Sequence, residues 1–73
     1  MTQTEAIIMG AATRSAKVRS SRELADRVGM KYTTLRHKMN RPKSVDLGDL
    51  HDFDRVCQFT GDEALKLIKS IRG

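Results

Sequence analysis

The tightest constraint on this chain is Gly29, which stands between two short amphipathic segments in residues 20–40, SSRELADRVGMKYTTLRHKMN. A glycine there can take the left-handed conformation that ends a helix and turns the chain sharply at little steric cost. The segment before it has its own start signal. Ser20 followed three residues later by Glu23 forms a capping box, so a helix begins at Ser21. Leu24, Ala25 and Val28 then make an apolar stripe, while Arg22, Asp26 and Arg27 stay in water. Met30 plugs the turn from inside. A second helix follows over residues 32–40, with Leu35 and Met39 as its buried face.

The outward residues of that second helix are Lys31, Tyr32, Thr33, Arg36, His37 and Asn40, a list rich in hydrogen-bond donors. A helix with such a face fits the major groove of DNA, where arginine, lysine and asparagine match guanine and adenine edges. Tyr32 has two readings, as a side chain that contacts DNA or as an amphipathic lid across the turn. The pair of helices reads as a helix-turn-helix. Ala25, Gly29 and Leu35, in that spacing, resemble the signature of the Cro and CI repressor family of phages. Residues 42–50 are also similar to compact repressors of this kind, so the resemblance runs from residue 18 onward. Two positions depart from the family pattern. Lys31 stands where serine or threonine often caps the second helix, and Lys38 stands where an apolar residue is frequent, with Met39 taking over that contact.

The rest of the chain supplies three further helices. Thr2 with Glu5, or Thr4 alone, caps a first helix running to about residue 16, with Ile8 and Ala12 toward the core. Gly10 in its middle costs about 1 kcal/mol relative to alanine, unless Gly10, Ala11 and Ala12 together let another helix approach closely. Pro42 ends the recognition helix by pushing Arg41 out of helical geometry. Asp46 and Asp49 then open a fourth helix, Val45 and Leu50 can staple it, and Leu50, Phe53 and Val56 or Cys57 form its buried side. Thr60 and Glu63 open a fifth, whose apolar positions Ala64, Leu65, Leu67, Ile68 and Ile71 exceed one narrow stripe. The expected fold is all-α: a five-helix, lambda repressor-like domain over residues 1–73, with the helix-turn-helix at about 20–40.

Charge follows the motif. Between residues 14 and 43 there are ten cations and two acids, a local balance of +8 within a total of +5, which leaves −3 for the remainder. A concentrated positive field attracts a polyanion, and DNA is the usual one. Arg19, Ser21, Arg22, Arg41 and Lys43 are placed to hold phosphates, the first three at a helix amino end and the last two beyond the recognition helix. The excess apolar surface at Leu65, Leu67, Ile68 and Ile71 marks residues 62–72 as a dimerisation helix.

Other classes are disfavoured. Cys57 is alone, so no intramolecular disulfide can form, and it reads as a small buried hydrophobe. His37, His51, Cys57 and the scattered acids lack metal-ligand spacing, and no base converges on a nucleophile. No cofactor, small-molecule ligand, enzyme activity or membrane association is expected. The amino-terminal residues lack a cationic region followed by a long apolar run, so the expected location is the cytoplasm. The resemblance implies a phage or mobile-element repressor that binds a pseudo-palindromic operator as a homodimer. Two rivals are a protein-binding helix-turn-helix, such as an antitoxin or a phage inhibitor of a host protein, and a nonspecific architectural DNA binder.

Overall fold

Thr2, not Thr4, closes the amino end of the first helix. Its hydroxyl accepts the Glu5 amide at 3.1 Å, while Thr4 is fully buried and shares a 2.8 Å hydrogen bond with the Ser70 hydroxyl. A computed structural model describes all residues 1–73 as five helices with no strand: α1 (Gln3–Ala16), α2 (Ser21–Val28), α3 (Tyr32–Asn40), α4 (Leu47–Cys57) and α5 (Gly61–Arg72). A single 3₁₀ turn, Pro42–Ser44, links α3 to α4. The whole measures 26 × 24 × 22 Å. No helix is long and apolar enough to cross a membrane.

The chosen starts hold, with differences in how completely they are made. Asp46 and Asp49 exchange side-chain and backbone bonds at 2.8 and 3.0 Å, and Thr60 and Glu63 do the same at 3.1 and 2.9 Å, so α4 and α5 each carry a complete capping box. The boxes expected for α1 and α2 are only half formed. Ser20 accepts the Glu23 amide at 3.2 Å without the reciprocal bond, and the Glu5 carboxylate is drawn away to Arg36. Lys31 provides no side-chain cap for α3.

α1 forms the spine against which α4 and α5 pack, with a smaller contact to α3. Its buried side is Ile8, Ala11 and Ala12, as the spacing requires. Gly10 points away from this contact into open space, so it does not serve the close packing that the small-residue run allowed. Val18, Leu24, Ala25, Val28, Leu35, Met39, Val45, Phe53, Cys57 and Leu67 complete one core. On α4 that core takes Cys57 rather than Val56, which is half-buried. The Cys57 thiol lies 3.7 Å from the Ile8 carbonyl, and burial is the main cause that pushes its pKa up to about 12.

Gly29 makes the turn expected of it. At φ 82° it donates to Asp26 at 3.3 Å, and the next amide, Met30, donates to the Ala25 carbonyl at 2.9 Å, the paired closure of a Schellman ending. Arg55 on α4 adds a 3.1 Å bond to the Val28 carbonyl. The end of α2 is therefore satisfied both by its own turn and by a neighbouring helix. This fixes the direction in which α3 leaves.

Candidate nucleic-acid interface

α3 is held at four places, and what those contacts leave free defines the site. On its inner side Leu35 and Met39 are fully buried. At its carboxyl end the Thr2 hydroxyl donates to the Met39 carbonyl at 2.6 Å. On one flank the Arg36 guanidinium meets the Glu5 carboxylate of α1 at 2.8 Å, with Glu5 side-chain exposure of 9% and Arg36 of 31%. On the other flank Lys38 meets Asp49 of α4 at 2.6 Å and donates to the Ser44 carbonyl at 3.3 Å. The lysine that replaces an apolar residue at position 38 is thus neutralised by a neighbouring helix, and Met39 fills the core.

These contacts shift charges as well as positions. Burial works against the charged form of Asp49, but hydrogen bonds from Lys38 and the Asp46 amide, with the Lys38 charge, more than offset it and hold the carboxyl below the usual range. The Glu5 hydrogen bond raises the Arg36 pKa further. Glu5 Oε1 is buried without a hydrogen-bond partner, so the pair relies on its other oxygen.

The face opposite Leu35 and Met39 carries Thr33, Thr34, His37 and Asn40, all exposed. Helical spacing sets these four on one side, since Thr33, His37 and Asn40 follow each other at four and three residues. Lys31 is exposed just before the helix. Two residues expected on this face are placed otherwise. Arg36 turns back toward α1 and is not free, although its second nitrogen reaches the Asn40 side-chain oxygen at 3.4 Å. Tyr32 is half-buried against the core, with the Arg22 guanidinium 4.2 Å above its ring centre. This is the packing across the turn that one of its two readings describes. Thr34, absent from the expected set, joins the exposed face; a helical projection centred on Leu35 and Met39 would have located it.

The expected phosphate-binding residues lie around the ends of these helices. Arg19 and Arg22 are exposed before and within the first turn of α2, Ser21 is half-buried there, and Arg41 and Lys43 are exposed beyond α3. Of the ten cations between residues 14 and 43, Arg14, Arg36 and Lys38 are spent on Glu63, Glu5 and Asp49. Lys17, Arg19, Arg22, Arg27, Lys31, Arg41 and Lys43 form no ion pair. No group of three or more histidine, cysteine or acidic side chains converges in a way that could hold a metal.

The expected dimerisation set needs one correction. Leu67 is 1% exposed and belongs to the core, because α5 lays that side against α1. Leu65 and Ile68 are exposed at 52% and 46%, and Ile71 is half-buried. A residue outside the set, Leu47, is 83% exposed. No family model, curated protein or solved structure matches the chain.

Proposed function

We propose that this protein is a sequence-specific double-stranded DNA-binding transcriptional regulator of the Cro and CI type, a compact phage or mobile-element repressor. One observation carries the reading: the exposed face of α3 presents only hydrogen-bonding side chains, and unpaired cations flank that helix at both ends. Thr33, Thr34, His37 and Asn40 then face base edges, with Lys31 at the entering end. Arg36 supports the helix from the side and reaches DNA only at its margin. Arg19, Ser21, Arg22, Arg41 and Lys43 hold the backbone on either side of the groove.

In this reading two copies bind together as a homodimer. A two-fold axis would set their recognition helices about 34 Å apart, one turn of DNA, and so call for pseudo-palindromic half-sites. Selection from a pool of random duplexes, followed by sequencing, tests the proposal. A small set of related palindromic sites is the expected result. Broad recovery without a motif would make the protein an architectural binder, and no recovery at low salt would end the DNA reading in favour of a protein partner.

A further inference from the structure

Among the exposed side chains of α3, Asn40 is the one held by the rest of the chain. Its oxygen accepts from Arg36 Nη2 at 3.4 Å, one turn earlier, while Arg36 Nη1 donates to Glu5 Oε2 at 2.8 Å. Glu5 is itself fixed in place. Its amide donates to the Thr2 hydroxyl, which in turn donates to the Met39 carbonyl, so the amino end of α1 is registered against the last turn of α3. The guanidinium cannot swing away without leaving a buried carboxylate unpaired, since the other Glu5 oxygen has no partner to take over.

A guanidinium only donates, whereas a side-chain amide accepts at its oxygen and donates at its nitrogen, so Arg36 decides which end of Asn40 turns toward it. The oxygen faces Arg36, and the NH₂ group is left for the outside. The reverse orientation would set donors against donors. We infer that the Glu5–Arg36 pair is a positioning device for base reading: it leaves Asn40 with N–H donors alone, so that this residue selects guanine, whose O6 and N7 both accept. Adenine is disfavoured, because asparagine recognises it by donating to N7 and accepting from N6 together. The inference rests on the DNA reading proposed above and names the base at one position of each half-site. Glu5 lies in α1, outside the helix-turn-helix, and acts through Arg36 without a base contact of its own.

Selection of random duplexes by the full chain and its variants, read by sequencing, tests the inference. Asn40→Ala identifies the base pair that depends on Asn40. In the unaltered protein that pair is expected to be G·C, preferred over A·T by at least about fivefold. Glu5→Gln combined with Arg36→Met removes both charges and the donor together, so no carboxylate stays buried without a partner. The freed amide should move the preference at that same pair toward A·T, and Glu5→Ala should move it in the same direction. A purely structural role would weaken binding to all sequences and leave the preferred pair as it was, which would overturn the inference. An A·T pair at the Asn40-dependent position of the unaltered protein would overturn it too. A second measurement uses the unaltered fold: replacing the selected guanine with 7-deazaguanine, which lacks the N7 acceptor, should weaken binding about threefold or more. The same replacement should leave Asn40→Ala indifferent, and equal losses in the two proteins would count against the assignment. A chain that selects no motif fails the DNA reading itself, whereas a clear motif with an unshifted guanine fails this inference alone.

Discussion

The α2–α3 pair and the α4–α5 pair are both short helices joined by a brief connection, yet their ends are closed by different means. α4 and α5 each begin with a reciprocal capping box built from residues three apart. α2 has half of one, and α3 has none. α3 is instead fixed by groups from elsewhere in the chain: Thr2 and Glu5 from the amino-terminal segment and Asp49 from α4. Their outer surfaces differ in the same sense. The first pair shows polar side chains and unpaired cations, and the second shows an aliphatic groove bordered by charges of both signs. In the proposed role, a helix that presents its outer face to DNA cannot spend that face on holding itself in place, and the support of α3 comes from the sides and from behind.

Breaking the support from behind should have the largest effect. Leu35→Ala removes a fully buried side chain from the contact between α2 and α3, and should cost about 2 to 5 kcal/mol in chemical denaturation. Removing the lateral support comes next. Arg36→Ala leaves the buried Glu5 carboxylate without its partner, at a cost of about 1 to 3 kcal/mol. Adding Glu5→Gln should return part of that stability, because the uncompensated charge disappears. An Arg36→Ala variant as stable as the parent would show that α3 is not braced from α1. A binding defect in this variant can be assigned to lost base contact only after its stability has been matched.

The free face should behave in the opposite way. His37→Ala and Asn40→Ala should leave melting nearly unchanged while costing about 1 to 3 kcal/mol of discrimination between selected and scrambled duplexes. Competition binding with both duplexes checks this, and unaltered discrimination in both variants would remove this face from recognition. Arg41→Ala or Lys43→Ala should weaken binding to all sequences alike and lower the slope of log affinity against log salt by roughly one for each lost phosphate contact.

The self-capped pair offers a smaller test, through pH. Asp49 titrates below the ordinary carboxylate range in the folded protein, where Lys38 and the Asp46 amide favour its charge. Its contribution is complete above the unfolded carboxylate value of about 4 and vanishes as pH falls through the lower, folded value. Asp49→Asn should therefore lower the melting temperature near neutral pH and converge with the parent in strong acid. A constant gap across the acid range would contradict this linkage. Cys57 supplies a reading of the intact state, since a buried thiol with its pKa pushed up to about 12 should react with a thiol reagent only when the domain opens. Labelling rates that follow denaturant-induced unfolding are expected.

Most of the helix boundaries were legible because their signals are local. Ser20, Asp46 and Thr60 each stand next to the turn they stabilise, and Gly29 needs no distant partner to end α2. The positions of Arg36 and Leu67 were not legible for the opposite reason. Arg36 is diverted by a carboxylate 31 residues earlier, and no periodicity within α3 carries that information. Along α5 five apolar residues offer more than one inward side, and the packing of α1 decides that Leu67 goes in while Leu65 stays out. Thr34 and Leu47 could have been read from helical phase alone, as each lies away from the buried row of its own helix.

The hydroxyl of Thr2 has a consequence for motion. α3 spans nine residues, fewer than the roughly 12 to 15 at which an isolated helix becomes even marginally stable in water. Its last turn would fray readily on its own, but the hydrogen bond from Thr2 to the Met39 carbonyl and the Glu5 clamp one turn earlier tie that turn to α1. Amide exchange near residues 38–40 should then follow detachment of α1 rather than local opening. In the proposed role, a helix kept formed in this way would meet DNA with little ordering left to do, so the affinity of the face it presents would be set largely by its contacts and by water released, and less by an entropy of folding.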